Sequence, residues 1–267
     1  MSEKTQKNEK NKKLEKIKCF LLDMDGTVYL GGKVIDGAIE AVERMNTLSR
    51  AVFLTNNSSA SRGDYAKKLA RLGFKVNEDN IFTSGNATIE YLHAHHEGQR
   101  IFLFGNQTLK EEFASGGIET VEENPDLIVV GFDTTFDYAR LTKLCDFIRD
   151  GVPYICTHAD INCPTETGYK PDVGSFIALI EKSTGVSPTL VCGKPNKPMA
   201  ESIRRKLGLK NEEIAMVGDR LATDMKFAIN NGFVSVLVLT GEATKDDLKA
   251  SGLKVDIILD SIADWDK

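Results

Sequence analysis

Two carboxylates, Asp23 and Asp25, stand one residue apart directly behind an apolar run at residues 17–22. Strand residues alternate between faces, so the two acids share one side and Met24 takes the other. Like charges repel at this range. At ~4 Å and an effective dielectric of ~20 the cost is on the order of 4 kcal/mol. A shared proton, a cation or exposure to water must offset it. As an isolated feature the pair also fits a solvated turn, because Asp25-Gly26 is a common turn dipeptide.

Further polar residues follow other apolar runs. Thr55, Asn56, Asn57 and Ser58 follow the run at 51–54, and Gly193-Lys194-Pro195 follows 189–192. Gly218-Asp219-Arg220 follows 213–217, with Asp224 close behind. Read singly, Asp219 is a turn acid, Asp224 a favourable charge at a helix N-terminus, Thr55 a loop or cap residue, and Lys194 a solvated lysine. Read together, four carboxylates, a lysine and a threonine suit a divalent cation with a phosphate. Magnesium takes oxygen ligands and commonly uses one or two carboxylates beside substrate phosphate oxygens. Lysine supplies point charge for phosphate.

The elements that must bring these groups together follow from hydrophobic periodicity. Short apolar runs at 17–22, 51–55, 189–193 and 213–219 read as strands, and 37–49, 62–73, 198–208 and 223–232 read as helices. Strands at 234–241 and 255–260 complete this set. Such alternation predicts an α/β fold, a Rossmann-like, doubly wound parallel sheet with helices on both faces. In such sheets ligands bind beyond the carboxyl ends of the strands. A second alternation lies between the halves: strands at 100–105, 126–132 and 153–157, helices at 138–151 and 173–185. The expected organisation is a flexible lysine-rich extension at 1–16, a core at 17–80 and 189–267, and an inserted smaller α/β cap domain at 81–188.

Composition narrows the partners. The 267 residues carry 39 acids against 34 lysines and arginines, a net charge of −5, which argues against a nucleic-acid binder. No apolar run approaches the ~18 residues of a membrane span, and the short run after the lysine-rich start does not make a signal peptide. Five scattered cysteines read as reduced thiols of a cytoplasmic protein. Cys156, His158 and Cys163 admit a zinc reading, but their spacing fits no standard pattern. A loop over 157–175 is the better expectation.

The chain resembles the haloacid dehalogenase superfamily of phosphohydrolases. Asp23-Met24-Asp25-Gly26-Thr27 fits its first motif, Phe53–Asn57 its second, Lys194 its third, and Gly218–Asp224 its fourth, in that order. TNNSS, GKP, GDRLATD and LTGEAT, with the insertion after the second motif, are similar to the NagD-like, 4-nitrophenylphosphatase group. Ala228, in the last predicted helix before 234, stands where many relatives have glycine. The resemblance implies a Mg²⁺-dependent phosphatase acting on a small phosphorylated metabolite. Asp23 would be the nucleophile and Asp25 the general acid and base. The Asp23 carboxylate, the Asp25 main-chain carbonyl and Asp219 would bind the metal, with Asp224 orienting its waters. Thr55, Asn56 and Lys194 would hold phosphoryl oxygens. A homodimer through the cap is compatible with this reading. The alternatives are a phosphotransferase using the same intermediate and a non-catalytic phosphometabolite-binding protein, which would have no need of Asp25.

Overall fold

The computed structural model describes residues 13–165 and 167–266. They form two compact units, one of residues 13–54, 65–82 and 203–266, the other of residues 55–64 and 83–202. Both are α/β.

Strands are numbered along the chain. The first unit is built on β1 (Cys19–Leu22), β4 (Arg50–Thr55), β5 (Ile81–Thr83), β12 (Ile214–Gly218), β13 (Val234–Val238) and β14 (Ile257–Leu259), with a small β2 (Tyr29–Leu30) and β3 (Lys33–Val34) hairpin beside them. The sheet order is β14-β13-β12-β1-β4-β5. β1 pairs in parallel with both β4 and β12, Leu22 lying opposite Phe53 and Val217. From β1 the chain winds outward through β4 and β5, then returns to β12 and winds the other way. The switch point therefore lies between β1 and β12, where this class of sheet opens a crevice. β1 and β12 are buried along their whole lengths, which explains why they read as unbroken apolar runs. Phe20 of β1 meets Trp265 edge-on at 5.1 Å.

The second unit has a four-stranded parallel sheet in the order β11 (Leu190–Val191), β8 (Tyr154–Cys156), β7 (Leu127–Val130), β6 (Ile101–Phe104). Alternate residues feed two cores. Phe102, Phe104, Ile128 and Val130 pack with Leu144, Ile148 and Ile180 from the helices Tyr138–Arg149 and Val173–Thr184. Ile101, Leu103, Leu127 and Val129 pack with Leu92, Leu109 and Phe113 from the helices Ser84–His95 and Gln107–Ser115. A separate antiparallel pair joins β9 (Asn162–Thr165), which is mostly half-buried, to the exposed β10 (Gly168–Pro171).

Three sequence expectations change. The strand expected over 189–193 is shorter and joins β8 in the second unit, not the six-stranded sheet. Thr189 ties it there, donating from N and Oγ1 to the Tyr154 carbonyl at 2.8 and 3.0 Å. The helix expected over 223–232 begins as a π-helical turn, Leu221–Met225, before Lys226–Asn231. Of the lysine-rich extension, residues 1–12 lie outside the described residues. Residues 13–16 are folded: Lys16 N–H donates to Lys13 O at 3.2 Å, the Lys13 ammonium meets Asp256, and Ile17 behind them is buried.

Candidate active site

In the first unit, four of the sequence-predicted residues collect at the switch point. Asp23 extends the β1 ladder by one bond, its N–H donating to Val217 O at 2.9 Å. The chain then turns. Met24 O accepts from the N–H groups of Thr27, Val28 and Tyr29, and Gly26 lies in the left-handed region at φ 82°. Asp219 follows β12 directly, and Asp224 sits in the π-helical turn; both are buried. Carboxylate oxygens of Asp23, Asp219 and Asp224 lie within 4.8 Å of one another, and no other acidic, histidine or cysteine group of this kind occurs among the described residues.

Hydrogen bonds fix these carboxylates. Asp219 Oδ2 accepts from Glu242 N–H at 2.8 Å, and Oδ1 accepts from the Thr27 hydroxyl at 3.4 Å. Asp224 Oδ2 accepts from Arg220 N–H at 3.2 Å. Two glycines make room. A Cβ at Gly26 would stand 2.4 Å from Asp219 Oδ2, and one at Gly241 would stand 2.0 Å from it. The main chain closes on this carboxylate from two sides because no side chains intervene.

The electrostatics follow from crowding. Burial, then the Asp23 charge, pushes the Asp219 carboxyl up to about 6. Burial also raises Asp25; Lys68 pulls it down and Asp23 pushes it up again. Burial opposes the Arg220 charge, and Asp23, Asp219, Asp224 and Glu242 more than restore it. Lys68 donates to the Tyr29 hydroxyl at 2.9 Å. The donor set is all oxygen and rich in negative charge, which fits a hard divalent cation of the Mg²⁺ type better than zinc. Sequence reasoning did not single out Lys68, Arg220, Thr27 or Gly241. Of these, only Thr27, Arg220 and Gly241 lay inside motifs it had marked.

Of the remaining predicted residues, Thr55 ends β4 and begins the segment 55–64 of the second unit, and Asn56 and Lys194 lie within that unit. Thr55 Oγ1 accepts from Asn57 N–H at 3.1 Å, an ordinary turn after a strand. Asn56 and Lys194 are buried and directly joined: Asn56 Oδ1 accepts from Lys194 N–H at 2.8 Å, and Asn56 Nδ2 donates to Lys194 O at 3.0 Å. No local sequence pattern points to this pairing. The zinc reading of the 156–163 segment finds no support in its histidine. His158 is buried with Nδ1 on Thr157 Oγ1 and Nε2 on Asp172 Oδ1, both at 2.9 Å.

Comparison with known proteins supplies the family of the chain. Residues 20–119 match the haloacid dehalogenase-like hydrolase family, and residues 191–265 match a second, HAD-hydrolase-like family. The chain is 34% identical to 5'-nucleotidase YutF of Bacillus subtilis over 251 residues, covering 93% of this chain and 97% of that protein. Its structure is similar to a 4-nitrophenylphosphatase of Thermotoga maritima, with a TM-score of 0.90 and 46% identity over 94% of this chain and 97% of the other. It is also similar to a glycerol phosphate phosphatase of Mycobacterium tuberculosis in complex with magnesium, with a TM-score of 0.88 and 29% identity over 95% and 77% of the two chains.

Proposed function

The chain belongs to the haloacid dehalogenase-like hydrolases and is a phosphomonoester hydrolase; from that premise we propose a Mg²⁺-dependent phosphatase that works through an aspartyl-phosphate on Asp23. The observation that carries this reading is the cluster of Asp23, Asp219 and Asp224 oxygens within 4.8 Å at the switch point of the sheet. Three acids so placed suit a cation, and phosphoryl transfer needs positive charge at the same place. Bound there, Mg²⁺ would neutralise developing charge on the phosphoryl oxygens.

Each residue then has a separate duty. Asp23 attacks phosphorus, forming its own O–P bond as the bond to the leaving alkoxide breaks. Asp25, whose carboxyl burial favours the protonated form, gives its proton to the departing oxygen. It then takes a proton from the water that attacks the aspartyl-phosphate, releasing inorganic phosphate and restoring Asp23. Asp23, the Asp25 main-chain carbonyl and Asp219 would hold the metal, with Asp224 behind them. Thr55, the Asn56 main chain and Lys194 bind phosphoryl oxygens, with Lys194 adding positive charge. The substrate is a small phosphorylated metabolite and the setting cytoplasmic. No helix among the described residues is long and apolar enough to cross a membrane.

The test is phosphate release by the full-length protein from 4-nitrophenyl phosphate and a panel of sugar, glycolate, nucleotide and pyridoxal phosphates. Release should require Mg²⁺ and stop with EDTA. Asp23→Asn should lower kcat by on the order of 10³-fold or more with an unchanged melting temperature. A wild-type protein that releases no phosphate from any of them would overturn the reading.

A further inference from the structure

Resting on the phosphatase reading, we propose that Asn56 is a positioning residue that fixes the main chain of Lys194, and that Asp160 holds Asn56 in that role. A side-chain amide has one acceptor oxygen and two donor hydrogens. In Asn56 all three groups are engaged. Oδ1 accepts from Lys194 N–H at 2.8 Å, while Nδ2 donates to Lys194 O at 3.0 Å and to Asp160 Oδ1 at 2.9 Å. The amide thus pairs with Lys194 as a neighbouring strand would, donor to acceptor and acceptor to donor. This chemistry also fixes which end is oxygen, since the lysine N–H needs an acceptor and its carbonyl a donor.

The next residue back is gripped as well. Gly193 N–H donates to Thr157 O at 2.7 Å. A Cβ at Gly193 would stand 2.6 Å from Asn56 Oδ1 and 2.8 Å from Thr157 O, so the main chain can reach both partners only as glycine. The segment that supplies Thr157 and Asp160 is itself fixed. Ser58 Oγ, Thr157 Oγ1, His158 and Asp172 form one buried chain of hydrogen bonds at 3.1, 2.9 and 2.9 Å, and Asp160 O accepts from Gly174 N–H at 2.8 Å.

This matters for Lys194 because lysine has a flexible four-carbon stem. The main chain at its root sets the region its ammonium can reach. The charge of Asp160 strengthens the hydrogen bond from Nδ2, so the loop 157–160 bears on Lys194 through one amide. Binding of phosphoryl oxygens by the Asn56 side chain is replaced by a task one step removed: the side chain holds the lysine that binds them.

The experiment uses the full-length protein with Mg²⁺, 4-nitrophenyl phosphate and the best substrate of the metabolite panel. Asn56→Ala and Asn56→Asp should each lower kcat/KM by about 10–100-fold, the effect of a small misplacement in a phosphate site. Asn56→Asp keeps the shape and the acceptor but has no donor, so it decides the matter if the alanine variant does not fold. Asp160→Ala should lower kcat/KM, and Asp160→Asn, which keeps an acceptor, should restore most of it. The decisive arm is Lys194→Ala alone and combined with Asn56→Asp. If Asn56 acts through Lys194, the second substitution adds less than about threefold to the loss, and the inhibition constant for inorganic phosphate rises alike in both single variants. Losses that multiply in the double variant, or wild-type kcat/KM in Asn56→Asp, would overturn the inference. A wild-type protein with no phosphatase activity would instead overturn the reading beneath it.

Discussion

Asp219 is closed in by main chain, and that confinement can be tested at a single atom. Gly241→Ala would bring a methyl group to 2.0 Å from Asp219 Oδ2, so the carboxylate must rotate or the loop must retreat. Either change spoils the bond from Glu242 N–H and the approach of Asp219 to Asp23 and Asp224. The Mg²⁺ concentration for half-maximal rate should rise by about tenfold or more, the size of effect seen when partners of metal ligands are altered. A titration of rate against Mg²⁺ checks this; an unchanged midpoint would mean that Asp219 does not bind the metal. At this scale the acids were legible because their order and spacing are local: Asp23 and Asp25 are two positions apart, Asp219 and Asp224 five. Lys68 was not, because it belongs to no motif, and the role of Gly241 was not, because LTGEAT does not show that it meets Asp219. The Asn56 amide was hidden for the same reason, its partner lying 138 residues away.

Among the elements, the helix Tyr138–Arg149 offers a clean control. Asp137 caps it, Oδ1 accepting from Arg140 N–H at 2.8 Å on an exposed surface. Asp137→Ala should destabilise the protein by about 1 kcal/mol, the usual cost of losing an N-cap. Chemical denaturation measures that loss, and kcat should stay unchanged because the residue takes no part in the proposed chemistry. A large fall in kcat would mean that this helix does more than support a core. Long amphipathic segments such as this one were readable from apolar spacing alone. β11 was misread because two residues carry too little pattern to say which sheet they join. The π-helical turn at Leu221–Met225 was invisible for a related reason: its extra residue per turn lets Asp224 meet Asp219 and Asp23, a tertiary demand that propensity does not encode.

At the scale of the whole molecule, the acids couple stability to pH and metal. The folded Asp219 carboxyl titrates at about 6, above its ordinary value, so the metal-free fold favours the protonated acid. That contribution is complete below the unfolded-state value of about 3.9 and is lost as pH rises through about 6. Asp25 shifts in the same direction. Mg²⁺ bound by these acids would compete with the protons, so saturating metal should raise the melting temperature more at about pH 7.5 than at about pH 5. Thermal unfolding with and without Mg²⁺ at both values checks the sign, and a larger shift at the lower pH would contradict it. The doubly wound sheet that gathers the acids was legible from alternating strands and helices. The membership of 55–64 and 189–202 in the second unit was not, because it rests on contacts such as those of Asn56 and Thr189 rather than on any local pattern.

The proposed division of labour between Asp23 and Asp25 is tested most directly by a rapid-quench experiment on Asp25→Asn with 4-nitrophenyl phosphate. The 4-nitrophenolate group leaves without a proton, so the first half of the reaction no longer needs Asp25. The second half does, because water must still be activated. The expected result is a rapid burst of one equivalent of 4-nitrophenolate per enzyme, then a stall, with phosphate recovered on the peptide that contains Asp23. Steady turnover without a burst, or a burst with phosphate on any other residue, would contradict it.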